Sequence, residues 1–480
     1  HPLEVKAGNL INHFIKSITG KELTVISGKG KGEVFNSIVI GRATFETSLI
    51  EKKDLDWCGE DGFIKIISGS NIGIAGRNSH STLYGAYSFL EDIGVKFLSS
   101  NHIYVPEKST IEISGKWSRF PLFVRERPFF DLRFPYTSPD YPMRFQQIGD
   151  PTRLVNKKLY PGLWIDHTTG FLVPVSKYYD SHPEYFALMK NGKRIPKETP
   201  ANRVTLCLSN DEVKKIATEK TLKWISQQSD RRFFVINEGD VGVENWCHCK
   251  KCKSFDRAGH GYTDRWLQFI NYIAERVKTK YPDKILLTFA YIGTFLPPAY
   301  TKPASNVWIL FANYPPIVGC NIHTLECPLN IKANLALNQY LNISPNQIGM
   351  CEYNFGPKTM LVPTLETMIC KLKEYAKLGI RGVWYYGIPS HLRNLFRYVN
   401  SKLLWNPLEE PEKIIRDFCK AYYGTAAESM IEFINLERAQ IHNKEFHVYL
   451  FDNEGEGKLF FTPEFCNRAL GLLKKAENMA

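Results

Sequence analysis

The run Phe233-Phe234-Val235-Ile236 breaks into Asn237-Glu238-Gly239-Asp240, so large apolar residues deliver two carboxylates into a glycine-loosened turn. Glycoside hydrolysis needs such a pair: a protonated acid beside the leaving oxygen, and a second group that stabilises or captures the oxocarbenium-like centre. Desolvation behind Phe233–Ile236 would raise the pKa of Glu238, as an acid working near neutrality requires. Glu238 is therefore read as general acid/base. Strand side chains alternate, so Asp240 points the same way if the extended geometry persists that far. Two partners stay open: Glu352, approaching across a barrel mouth, or Asp240, holding a substrate group such as a 2-acetamido N–H that itself attacks the anomeric carbon. The plainer readings are an acidic turn after a strand and, for Glu352, an ion pair with a rim arginine.

Other polar residues fall at the ends of apolar, β-branched runs. Arg133, Asp166, His167, Tyr291, Asn313, Tyr314, Tyr353, Asn354 and Tyr385 would form a polar, aromatic rim suited to a neutral, hydroxyl-rich substrate. The plainer alternatives are a structural Asp166–His167 hydrogen bond and tyrosines that belong to the core. No Gly-rich phosphate loop and no HExxH helix occurs. Eleven cysteines are present, and Cys247, Cys249 and Cys252 crowd around His248. They are candidate zinc ligands, with His248 or His260 as the fourth; a disulfide with one spare thiol, or plain thiols, is the alternative. No cofactor is expected for the chemistry itself.

These residues need a scaffold that gathers strand ends. Phe129–Phe134, Gly162–Asp166, Arg203–Leu208, Arg232–Glu238, Ile285–Tyr291, Val307–Asn313, Ile348–Tyr353 and Gly382–Tyr386 read as strands that alternate with helices. Eight such units are the count of a (β/α)8 TIM-type barrel, whose chemistry sits at the C-terminal strand ends. Ser209-Asn210-Asp211-Glu212 reads as a capping box before a face of Val213, Ile216, Ala217, Trp224 and Ile225. Thr263 is expected to cap a stripe of Trp266, Ile270, Ile273 and Val277, and Leu365, Met368, Ile369, Leu372 and Tyr375 form a third. Before the barrel, Leu23–Ile26, Ser37–Ile40, Phe63–Ile66, Ile72–Ala75 and Thr110–Ile113 read as strands, and Ser81–Gly94 as a helix stopped by glycine. The expected organisation is an α+β sandwich over 1–120, the barrel over 121–405 and a helical C-terminal region over 406–480, with helices at 411–423, 427–442 and from Pro463.

The chain of 480 residues carries a net charge of +12. Its basic residues are dispersed and no nucleic-acid-binding module accompanies them, so nucleic acid is excluded as the expected partner. No apolar stretch of about 18 residues occurs, so no transmembrane segment is expected. The chain opens at His1-Pro2 without Met. That suggests a removed leader and an exported, periplasmic or cell-surface protein.

Several motifs are familiar in combination. Thr82-Leu83-Tyr84-Gly85-Ala86-Tyr87-Ser88-Phe89-Leu90-Glu91-Asp92-Ile93-Gly94-Val95 resembles the N-terminal domain of α-glucuronidases and β-hexosaminidase-like enzymes. His182–Leu188, Leu206-Cys207-Leu208-Ser209-Asn210 and Cys247–Cys252 resemble the barrel of glycoside hydrolase family 163, endo-β-N-acetylglucosaminidases of gut Bacteroidetes. That resemblance implies cleavage of the GlcNAc-β1,4-GlcNAc core of N-glycans on glycoproteins, with retention by way of the substrate acetamido group, which favours the Glu238/Asp240 pair. Related barrels carry Asn-Asp-Gly at this point, so which of the two is the acid stays open. The other readings are a non-catalytic glycan-binding protein and an exo-glycosidase for uronic or other acidic sugars, with Arg133 as the anion-binding group.

Overall fold

The structure, a computed structural model, describes residues 1–28, 34–99, 101–111, 122–126, 132–134, 167–229, 231–314, 319–353, 364–386, 391–442, 447–448 and 461–480; for 122–126, 132–134 and 386 it describes the backbone. The first unit opens with helix α1 (Pro2–Thr19), which the sequence reading does not anticipate. His1 caps it through Nδ1, Gly20 closes it at φ +74°, and Ala7, Ile11, Phe14, Ile15 and Ile18 form its buried stripe. Strands β1 (Ile38–Ile40), β2 (Phe63–Ser68) and β3 (Asn71–Gly76) follow, then helix α2 (Ser79–Asp92) and a small hairpin of β4 (Lys96–Ser99) and β5 (His102–Tyr104). β6 (Leu122–Glu126) returns to give the sheet order β1-β3-β2-β6. This unit thus includes a strand beyond the expected limit at residue 120. The expected strand at Leu23–Ile26 is not formed: Leu23 N donates to the Asn12 side chain instead, and Ile26 is 88% exposed, with no sheet neighbour to cover it.

The second unit is a six-stranded parallel sheet in the order β7 (Leu132–Phe134), β12 (Gly382–Tyr386), β11 (Ile348–Tyr353), β10 (Val307–Ala312), β9 (Ile285–Ala290) and β8 (Phe233–Val235). The first strand of this unit in the chain pairs with the last, Gly382 opposite Leu132. Of the eight expected strands, Gly162–Asp166 lies outside the described residues. Arg203–Leu208 joins no parallel ladder, which corrects the expectation. Its backbone instead pairs antiparallel with a neighbouring loop, through the Phe186–Leu206 bridge and the bonds of Ala187 N to Thr205 O and Cys207 N to Tyr185 O. A half-barrel parallel sheet is what the described residues form.

Side-chain alternation divides this sheet into two faces. Phe233, Val235, Leu287, Phe289, Trp308, Leu310, Cys351 and Trp384 pack together on the inner face. Ile309, Phe311, Ile348, Met350, Val383 and Tyr385 pack outward against helices. The helices on this side are α3 (Asp211–Gln227), which with α4 (Thr263–Lys280) packs with Phe234, Ile236 and Leu286, and α5 (Ile331–Ile343), α6 (Thr364–Lys377) and α7 (Arg393–Trp405). The three expected stripes are buried, apart from the half-buried Ile216. Two caps differ from expectation: Asn210, not Ser209, caps α3, and α4 has no side-chain cap. Thr263 instead donates to Leu296 O, and Asp264 accepts from the backbone of Ala299, Tyr300 and Thr301.

The C-terminal helices α8 (Pro411–Tyr423), α9 (Ala427–Ala439) and α10 (Pro463–Met479) stand where proline at the first turn and amphipathic spacing put them. The first unit docks on α7 through Trp405, whose ring stacks on Phe63 at 5.9 Å and meets Tyr84 edge-on at 6.2 Å. Among the described residues no helix is long and apolar enough to cross a membrane.

Candidate active site

β8 ends at Val235, and the strand geometry does not persist to the acids. Gly239 packs against the Val204 carbonyl so closely that a Cβ there would lie 2.5 Å from its oxygen, and Asp240 N donates to Asn202 O at 2.7 Å. The turn therefore presents its two carboxylates differently. Glu238 is buried, at 3% exposure, whereas the Asp240 side chain is 39% exposed.

The Glu238 carboxyl meets one described side-chain donor, Thr294 Oγ1 at 2.8 Å from Oε1. Oε2 is buried with no hydrogen-bond partner among the described residues. Burial drives the pKa of Glu238 up to about 8, with the neighbouring Asp240 charge adding a smaller push. The hydrogen bonds work against that push. The Thr294 hydroxyl has one proton, yet it also faces the carbonyls of Phe289 and Tyr291 at 3.1 and 3.0 Å. With its proton directed to Glu238 Oε1 the threonine favours the carboxylate, as does the glutamate's own backbone N–H, and burial outweighs both. The turn carrying Thr294 is held by Tyr340 of α5, whose hydroxyl donates to Thr294 O at 2.6 Å. Ile292 within it takes φ +24°, a conformation that costs a β-branched residue strain and that the surroundings must impose.

Asp240 faces the inner mouth. Tyr291 donates to its Oδ1 at 3.2 Å, and His167 Nε2 lies 3.7 Å from the same oxygen. His167 Nδ1 is 2.6 Å from the Glu238 carbonyl, so Nδ1 carries hydrogen, and a second proton on Nε2 would complete an ion pair with Asp240. Tyr291 meets Tyr314 edge-on at 4.9 Å and Tyr314 meets Tyr353 at 5.6 Å, which makes an aromatic arc along the inner face. Burial, first, and the Asp240 charge keep the Tyr291 hydroxyl protonated well above its usual range.

Glu352 is elsewhere. It continues the outward parity of Ile348 and Met350 and points into the helix layer at 1% exposure. Lys371 of α6 donates to Oε2 at 2.8 Å, Tyr375 donates to Oε1, and Asn313 Nδ2 lies 3.1 and 3.2 Å from the two oxygens. An anion so fully bound is a buried ion pair, with a lysine where a rim arginine was considered. Asn313 and Tyr385 share that outward face; Tyr385 packs on Phe396 of α7. Of the expected site residues, the structure gathers Glu238, Asp240, His167, Tyr291, Tyr314 and Tyr353 and sends Glu352, Asn313 and Tyr385 to the helix side. Asp166, Asn354 and the side chain of Arg133 lie outside the described residues. Lys371 carried a legible sign of its role, a charged residue on the face that Met368 and Tyr375 bury. Thr294 carried none.

The cysteine cluster is completed by Cys207, not by His248 or His260. The sulfurs of Cys207, Cys247, Cys249 and Cys252 lie within 4.8 Å of one another, with Cys207 at 3.7 Å from Cys249 and 3.9 Å from Cys252. A tetrahedral tetrathiolate with Zn–S bonds of ~2.3 Å has sulfur–sulfur edges of ~3.8 Å. A disulfide needs ~2.05 Å. This donor set could hold zinc and tie the acidic turn's downstream loop to the start of α3. Ser209, next to Cys207, accepts from Cys252 at 3.2 Å.

Residues 97–435 match the family described as "Domain of unknown function (DUF4838)". The chain belongs to that family. No curated protein matches it. Among solved structures, the fold of this DUF4838 chain is similar to a family 89 glycoside hydrolase from Clostridium perfringens in complex with 2-acetamido-1,2-dideoxynojirmycin, at 11% identity and a TM-score of 0.52. It is similar also to a variant of that organism's family 89 enzyme in complex with its substrate GlcNAc-alpha-1,4-galactose, at 11% identity and a TM-score of 0.53. These alignments cover 99% and 98% of this chain but only 59% and 58% of the other, so the chain spans less than two thirds of the enzymes it matches.

Proposed function

We propose that this chain is a glycoside hydrolase whose parallel sheet belongs to a closed (β/α)8 barrel, with Glu238 and Asp240 as the working pair. One observation carries the reading: two carboxylates in a single turn have opposed environments. Glu238 is dry and holds its proton through neutrality, as a general acid must. Asp240 is half-exposed and receives the Tyr291 hydroxyl, as suits an anion that orients a substrate group. Glu238 Oε2, without a described partner, is the atom for the leaving-group oxygen.

The substrate class follows from the acetamido route. With Glu352 bound by Lys371, Tyr375 and Asn313, the participating nucleophile is the substrate's own 2-acetamido oxygen, and Asp240 holds its N–H. The family 89 neighbours bind 2-acetamido sugars, and the motif resemblance to family 163 narrows the reading to an endo-β-N-acetylglucosaminidase acting on the chitobiose core of N-glycans. Mass spectrometry of a glycoprotein after incubation tests it. A single GlcNAc left on the protein is expected. Intact glycans, or a fully deglycosylated asparagine, would sink the specificity, and unaltered turnover by Glu238→Gln would sink the acid.

A further inference from the structure

We propose that Cys320, His323, Cys327 and His447 form a zinc site that clips the loop following β10 to the segment between the C-terminal helices α9 and α10. The four ligand atoms lie within 4.8 Å of one another. Cys320 Sγ is 3.4 Å from His323 Nδ1 and Cys327 Sγ is 3.6 Å from His447 Nδ1. Tetrahedral zinc, with Zn–S of ~2.3 Å and Zn–N of ~2.05 Å, sets sulfur and nitrogen ~3.6 Å apart. Two thiols and two imidazoles are the donor set of a structural zinc site, and hard cations such as calcium or magnesium take oxygen instead.

A second observation is independent of those spacings. His323 Nε2 lies 3.1 Å from the Ile441 carbonyl, so Nε2 carries the hydrogen and Nδ1 turns its lone pair into the cluster. Ligating histidines are oriented in this way, with the far nitrogen donating to a backbone carbonyl. Both thiols are buried, at 0% and 7% exposure, beside Ile322, Val448 and Phe461. The loop around the site is also held by its own hydrogen bonds. Asn330 bonds Cys320 N and O at 2.9 Å each, and Asn321 N donates to Val448 O at 2.8 Å.

The two parts joined are far apart in the chain, so an ion here closes a long loop and stabilises it through the unfolded state. The clipped loop leaves the sheet just after Asn313 and Tyr314. Its metal would therefore anchor the loop that begins next to Tyr314 in the chain.

The test is the metal content of the full chain purified without chelators, compared with His447→Gln and, in the other thiol cluster, Cys249→Ser. His447→Gln is expected to lose about one zinc equivalent per chain. A folded His447→Gln protein that keeps the parental content overturns the proposal, as does a loss confined to Cys249→Ser. The unsubstituted protein gives a second measure, iodoacetamide labelling with and without chelator. Cys320 and Cys327 are expected to become reactive only with chelator, while Cys58 and Cys419, buried outside both clusters, stay unchanged. Indifference of Cys320 and Cys327 to chelator, or their recovery as a disulfide, overturns it too.

Discussion

Glu238 and Glu352 both end runs of β-branched and apolar residues, and both are almost fully buried, yet they do opposite things with burial. Around Glu352, Lys371, Tyr375 and Asn313 supply a cation and neutral donors, so the charge is kept. Around Glu238 a single hydroxyl is the described side-chain donor and no cation is described, so burial prevails and the proton is kept. Burial alone therefore says nothing about an acid's role; the count of donors meeting it does.

That contrast breaks most directly by substitution. Glu238→Gln is expected to lower turnover by roughly 10²–10⁴-fold, the size of a general-acid contribution, with little change in melting temperature. If Glu238→Gln is active and Asp240→Asn is dead, the roles within the turn are reversed. Glu352→Gln should do the converse, costing about 3–5 kcal/mol of stability because Lys371 is left buried without its counter-charge. Turnover per folded molecule should persist. Replacing Glu352 and Lys371 together by apolar residues should recover much of the loss, and failure to do so in a denaturation series would mean the pair has a further role.

The pH behaviour sharpens the same comparison. Glu238 has a folded pKa raised above its unfolded value, so its contribution to stability is complete below about 4.5 and is lost as pH rises through about 8. Activity should fall on an alkaline limb near pH 8, and in Glu238→Gln the corresponding loss of stability should vanish. A stability profile unchanged by that substitution would refute the assignment. The smallest effect is expected from Thr294→Val. It removes one of the two bonds that lower the Glu238 pKa, the other being to the glutamate's own backbone N–H, so the limb should move to higher pH; a shift the other way would show that Thr294 stabilises the neutral acid.

Much of the scaffold was legible because periodicity and punctuation agreed. Met368, Leu372 and Tyr375 lie on one helical face, and Pro411 and Pro463 each stand at a helix start. The failures have physical causes too. Ile348, Met350 and Glu352 share one face of β11, and Gly349, Cys351 and Tyr353 the other. A strand covered on both faces is apolar throughout, so its sequence does not say which face is inside. The expected third strand went to a loop partner because a short apolar run carries no record of what it will pair with. Cys207 was visible as part of a motif, and Cys320, His323 and Cys327 are close in sequence, but each set takes its last ligand from far along the chain. Spacing could not supply that.

The indole of Trp405 has a last implication. It closes α7 and is sandwiched by Phe63 and Tyr84 from the opening unit, so the two halves share aromatic core instead of merely adjoining. Expressed without its first 120 residues, the remainder would bare this ring to water and tend to self-associate; any truncation meant to isolate the parallel-sheet half should carry its upstream neighbour along.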